Sequence, residues 1–253
     1  MGTASSKTKK NHSDNAPPIN LHNVRPELQS NKDLQAALSK DKEERLKNLD
    51  IFVLDNSLRE TAVAAIKGQV STDKDRILES LANTGLNDII VAAFGELRRP
   101  EDVWLQEKSE KNQIENNWWA FSEMQDTAQN NDIFKLPLPS GIQRCKQYGI
   151  KNVILEIDVQ CHQYDGFDIG NFIELFESRV DFIRRYSPEA KILVNLRDAP
   201  SAYFSDEFDE FEKEDYPARL KVMMKAVSML QPKIFGLVFE VSCKHLHMFI
   251  SFS

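Results

Sequence analysis

Two rhythms alternate along the chain. Short apolar runs, of the kind buried on both faces of a parallel sheet, are separated by segments whose apolar residues recur every three or four positions, as on one face of a helix. The first run is Ile51-Phe52-Val53-Leu54, predicted as strand 1. Ser71, Thr72 and Asp73 offer N-cap chemistry for a helix that places Ile77, Leu78, Leu81 and Ala82 on one face, and Gly85 supplies the left-handed conformation that stops it. Asp88 to Phe94 reads as strand 2, and a poorly patterned helix is expected over Val103 to Ile114. Trp118-Trp119-Ala120-Phe121, ending in Ser122-Glu123, is an aromatic strand expected to serve as core.

The second half is more regular. Ser140 to Gly149 reads as a short helix, and Asn152 to Val159 as a strand. Asn171 to Tyr186 is a helix with Phe172, Ile173, Phe176, Val180 and Ile183 inward, ended by Pro188. Lys191 to Leu196 is the next strand. Pro217 opens a helix carrying Leu220, Met223, Met224, Val227 and Leu230 on one face, Pro232 closes it, and Ile234 to Phe239 is the last strand. Strand and helix thus alternate through six strands with no hairpin signal, which implies a parallel sheet covered by helices. The choice is between an open doubly wound sheet and an incomplete (β/α)8 barrel of the TIM type. No glycine-rich phosphate loop follows any strand, which favours the barrel.

The ends depart from this rhythm. Residues 1–30 are Ser, Asn, Lys and Pro with few large apolar side chains, a composition that cannot offset its ordering entropy, so a disordered tail is expected. Met1-Gly2-Thr3-Ala4-Ser5-Ser6 fits the N-myristoylation pattern at Gly2, and Lys7, Lys9 and Lys10 follow. One acyl chain plus adjacent lysines is a coherent two-part anchor to the anionic inner leaflet of a membrane. Pro26 to Lys47 looks helical, and residues 31–48 are read as a linker or as a helix capping the barrel that occupies 49–240. Residues 241–253 have no place in the rhythm. Val-Ser directly after the last expected strand is what reading through a splice donor would encode, so a truncated barrel with an unpaired strand edge is expected there.

Bulk properties narrow the class. A net charge of −7 argues against a nucleic-acid surface. Cys145, Cys161 and Cys243 show no repeated spacing, as expected for reduced thiols in a cytoplasmic protein. No apolar run is long enough to span a bilayer, and no signal peptide is evident. A mean hydropathy of −0.46 is polar for a complete barrel, much of it owed to the N-terminus and to residues 206–215, which hold seven acids and one lysine and read as a solvated loop.

Candidate chemistry gathers at the carboxyl ends of the expected strands. Asp55, Arg59 and Glu60 follow strand 1, then come Glu96; Glu123 and Asp126; Glu156, Asp158 and His162; Asn195, Arg197 and Asp198; and Glu240. Recurrence at one rim is what a barrel enzyme needs, because its catalytic groups come from several strand ends facing one mouth. Carboxylates with Asn or His suit a hard divalent ion such as Mg2+ or Mn2+, and an arginine beside them can stabilise an enolate.

The order Asp55-Asn56-Ser57-Leu58-Arg59-Glu60, followed by Ser71-Thr72-Asp73-Lys74 and a helix into strand 2, resembles the metal-dependent barrel lyases and synthases. That family includes 2-isopropylmalate synthase, homocitrate synthase and 3-hydroxy-3-methylglutaryl-CoA lyase, whose opening reads Asp-x-x-Leu-Arg-Asp-Gly-x-Gln. The resemblance implies a carbon–carbon lyase or acyltransferase acting on 2-oxo acids or acyl-CoA through an enolate, with Arg59 as its stabiliser and Glu60 on the metal; from the rim itself, Glu156 is a further candidate catalytic group and Asp55 a further candidate metal ligand. This chain departs from the pattern at Thr61-Ala62-Val63, at Ile90, and in its histidines. His245-Leu246-His247 has the spacing of the family's His-x-His but follows the last expected strand without an intervening helix, and reads as coincidental. Impaired turnover is therefore expected, and the alternative is a non-catalytic, membrane-associated interaction protein that keeps the scaffold.

Overall fold

The computed structural model describes residues 52–59, 69–95, 100–126, 138–203, 215–243 and 246–252, with side chains through Phe239. The chain divides into two units, Met1–Phe52 and Val53–Ser253, and the second carries every element described below. Gly2, the 31–48 helix, Glu60, Glu96, His245 and the acidic loop from 206 to 214 lie outside the described residues.

The order is β1 (Leu54–Asp55), α1 (Ser71–Ala82), β2 (Asp88–Phe94), α2 (Pro100–Glu110), β3 (Trp118–Glu123), α3 (Ser140–Tyr148), β4 (Asn152–Asp158), α4 (Ile169–Tyr186), β5 (Ile192–Arg197), α5 (Ala199–Tyr203), α6 (Tyr216–Met229), β6 (Gly236–Cys243) and β7 (Leu246–Phe252). All seven strands form one sheet in sequence order, and β1 to β6 are mutually parallel. A doubly wound sheet would reverse its strand order part-way. Here each crossover steps the same way, and since such crossovers are right-handed, the helices fall on one face. The result is an α/β protein whose six parallel strands curl into a half-barrel.

Alternation along each strand divides the sheet into two faces. In β4, Val153, Leu155 and Ile157 point to the helices, where they join Phe172, Phe176 and Val180 of α4 and Met223 and Val227 of α6 in the main core. Ile154, Glu156 and Asp158 point to the concave side. Trp118 and Trp119 are fully buried on opposite faces, Trp118 stacked on Trp104 at 5.4 Å between ring centroids. A register shift between Ile90 and Ala92 places a bulge in β2.

Several expected boundaries move for identifiable reasons. Among the described residues strand 1 is Leu54–Asp55, paired to β2, and Val53 is 50% exposed. The run Ile51 to Leu54 is expected to be buried on both faces; Ile51 lies outside the described residues, and Val53 faces solvent. Helix α1 is capped at Val70, so Ser71 is its first residue rather than its cap, although the Asp73 carboxylate still accepts the Val70 N–H at 3.3 Å. The inner face of α1 includes Lys74, whereas Ala82 is exposed. Gly149 ends α3 at φ +81, as its position predicts.

The carboxyl-terminal strand corrects the expectation of a sheet without hairpins. β6 continues past Phe239 to Cys243, and Leu246–Phe252 returns antiparallel along it, with Leu237 opposite Phe252 and Cys243 opposite Leu246. A two-residue connection joins two runs rich in β-branched and aromatic residues, so the β6 edge is paired rather than open.

Strand end and helix start pack closely at Gly141, where an added Cβ would lie 2.8 Å from Ser122 Cβ and 3.0 Å from its Cα. Gly141→Ala should therefore lower stability by about 1–3 kcal/mol in urea unfolding, because Ser122 belongs to a rigid strand; a change below ~0.5 kcal/mol would mean that β3 and α3 move apart freely.

Candidate functional site

At the carboxyl end of the sheet the concave face turns polar across three adjacent strands. Register places Glu123 of β3, Glu156 of β4 and Asn195 of β5 side by side, with Asp158 opposite Arg197 one pleat further out. Arg197 spans the group. Its Nη1 lies 2.7 Å from Glu156 Oε1 and 3.3 Å from Glu123 Oε1, and its Nη2 lies 3.0 Å from Asp158 Oδ2. The Asn195 amide donates to Glu156 Oε2 at 2.9 Å, so both oxygens of this buried carboxylate are engaged.

The electrostatics follow from who is buried beside whom. Burial alone would lower the Arg197 pKa, but Glu156, Glu123 and Asp158 together raise it above that of ordinary arginine. The Glu123 carboxyl sits above the ordinary range because burial outweighs the opposing pull of Arg197, with Asp158 and Asp126 adding to the rise. Glu156, by contrast, has one oxygen held by Arg197 and the other by Asn195.

Arg59 reaches the same end. The Asp55 carboxylate accepts from Ser57 N at 2.9 Å and from Ser57 Oγ at 3.2 Å, opening the helical turn Ser57–Arg59, and Arg59 N donates to Asn56 O at 3.0 Å. The turn delivers the Arg59 guanidinium over the Phe121 ring, 4.4 Å from its centroid. Phe121 and Glu123 are two residues apart on β3 and share the concave face, and Glu123 is the register partner of Glu156. Arg59 and Glu156 therefore face one mouth.

The remaining sequence-derived candidates are placed as follows. Asp126 caps α3, accepting from Ser140 N at 2.8 Å. His162 is largely exposed beside Asp165, at 3.4 Å. Asp198 takes a left-handed φ of +56 immediately before α5. Glu240 lies in β6, with its side chain outside the described set. For a metal, the described residues hold no group of three or more His, Cys, Asp or Glu disposed to bind an ion. Asp55 uses its two oxygens on Ser57, and Glu60 and His245 are outside the described residues. An open groove of about 710 Å³ lies between the end of β1 and α1, lined by Asn56, Ser57, Ile77, Ser80 and Thr84 among others, and so borders the turn that carries Arg59 without including any rim carboxylate.

Sequence reasoning missed a second set of residues that builds the mouth from behind. Four buried cations on helices each hold a backbone carbonyl just past a strand. Lys74 Nζ donates to Leu58 O at 2.8 Å, beyond β1. Arg144 donates to Gly95 O beyond β2 and pairs with Asp102 at 3.2 Å. Arg179 Nε donates to Met124 O at 3.1 Å, beyond β3, and its Nη2 donates to the Gln125 side chain. Arg219 Nη1 donates to Val159 O at 3.1 Å and Cys161 O at 3.2 Å, beyond β4. Helical spacing was the available signal. Arg179 lies three residues after Phe176 and four before Ile183, and Lys74 three before Ile77, so each falls on an apolar face.

No family model matches the chain, and no curated protein matches it. Among the described residues, no helix is long and apolar enough to cross a membrane.

Removing Arg197 leaves Glu156 buried with an uncompensated charge. Arg197→Met should cost about 3 kcal/mol, because one partner of a buried pair is left without the other. Urea unfolding of Arg197→Met, Glu156→Gln and the double variant checks this; a double variant that loses as much as the two single variants added together would show that the ion pair is not the source.

Proposed function

We propose that the mouth at the carboxyl end of the half-barrel binds a small 2-oxo acid or acyl-thioester carbonyl compound and supports carbon–carbon lyase or acyltransferase chemistry through an enolate. The observation that carries this reading is the delivery of Arg59, from the turn after β1, over Phe121 and onto the face that bears Glu123 and Glu156. A guanidinium held against an aromatic ring and partly removed from water is a stronger partner for an enolate oxygen than the same group in bulk solvent. Glu123, whose burial raises its pKa above the ordinary value, is the group to remove and return the substrate proton. Glu156 orients Arg197 and so sets the polarity of the floor.

A divalent ion such as Mg2+ or Mn2+ would polarise the substrate carbonyl in a complete relative of the lyases. The described residues do not assemble its ligands, and none of the roles above depends on it.

One observation favours a second reading, a non-catalytic interaction protein of the cytoplasm tethered to the inner leaflet through an acylated Gly2. Arg197 already holds all three rim carboxylates, as a structural brace would.

Calorimetric titration with oxalate, a planar mimic of the pyruvate enolate, separates the two, run with and without Mn2+. The enzyme reading predicts saturable binding that Arg59→Ala weakens about 10- to 100-fold, the loss of a charge-assisted hydrogen bond. No heat with oxalate, together with co-sedimentation of Gly2-acylated protein with anionic vesicles, would favour the interaction protein instead.

A further inference from the structure

Lys74 is 1% exposed, on the inner face of α1. Lysine is almost never buried this completely without a partner, because removing an ammonium from water is costly. Its surroundings do little to compensate. The Nζ donates to Leu58 O at 2.8 Å and lies 5.6 Å from the centroid of Trp104. Glu101 is equally buried and attracts it, yet forms no direct ion pair with it, and Glu101 Oε2 has no hydrogen-bond partner. Burial lowers the Lys74 pKa despite that attraction. A methionine of similar length would fill the same space without the charge, so the contact with Leu58 O is what distinguishes lysine here.

That contact has a defined consequence. The peptide unit joining Leu58 to Arg59 is planar, so fixing the Leu58 carbonyl oxygen also fixes the direction of the Arg59 N–Cα bond. The turn is then held at both ends, by Asp55 on Ser57 at its start and by Lys74 on Leu58 at its close. Leu58 is itself fully buried, so the turn cannot pivot about a loose side chain.

We propose that Lys74 is a positioning residue for Arg59: from α1 it clamps the Leu58 carbonyl and thereby holds the guanidinium over Phe121 in the mouth. This deepens the small-molecule reading of the mouth, and only the ligand arm of the test rests on that reading.

The experiment uses the full chain labelled with 13C,15N-arginine. Lying over Phe121, Arg59 has side-chain resonances displaced by the aromatic ring current, identified by their loss in Arg59→Lys and their shift in Phe121→Leu. In Lys74→Met these resonances should move to the positions of solvent-exposed arginines while the remaining arginine spectrum is retained. Oxalate binding should weaken about 10- to 100-fold, to the level of Arg59→Ala, with no further loss in the double variant. An unmoved Arg59 signal in folded Lys74→Met overturns the proposal. Should that variant not fold, Lys74→Gln, polar but too short to reach Leu58 O, decides by the same signal. Absence of oxalate binding to the unsubstituted protein would overturn the small-molecule reading and leave the resonance test of Lys74 intact.

Discussion

At the carboxyl end of a parallel strand the chain turns away, and its last carbonyls lose the neighbour that would have paired them. Buried there, each would cost on the order of 1–3 kcal/mol if unsatisfied. This protein meets that demand with cations sent from the helix layer: Arg144 to Gly95, Arg179 to Met124 and Arg219 to Val159 and Cys161, and Lys74 likewise reaches Leu58 in the helical turn after β1. A charged donor strengthens each bond, and each helix is thereby locked to a strand end. The same contacts determine where the site residues emerge, since Leu58 precedes Arg59, Met124 follows Glu123, and Val159 follows Asp158.

The clamps differ in how their charge is balanced. Arg144 has Asp102 and Arg219 has Asp165. Arg179 has no carboxylate partner among the described residues, and burial lowers its pKa, with Tyr164 pulling the other way. On the concave side the half-buried Arg197 faces three carboxylates, so the charge there is balanced within one cluster.

Much of the scaffold was legible because period and punctuation agreed. β2, the helix closed by Gly149, and α4 with its Phe172, Phe176 and Ile183 face all follow from apolar spacing and cap chemistry. β1 misled because a run of apolar residues does not reveal that one of them, Val53, faces solvent. β7 was missed because its antiparallel return breaks the βα rhythm that identified every earlier element. The rim residues Glu123, Glu156, Asp158, Asn195 and Arg197 could be named from strand ends, but not their mutual saturation, which depends on cross-strand register. The buried cations were hidden for a different reason: charged residues on a helix are ordinarily assigned to solvent, and only their exact phase with the apolar stripe marks Lys74 and Arg179 as inward.

The account stands on those cations being fixed in place, and hindered rotation of guanidinium groups reports that directly. In the arginine side-chain NMR spectrum of the full chain, Arg144, Arg179, Arg197 and Arg219 should show separate, slowly exchanging Nη signals, while exposed Arg76 and Arg185 average to one. Rapid averaging at all six would mean that the strand ends are not clamped, and that the mouth has no fixed shape to bind with.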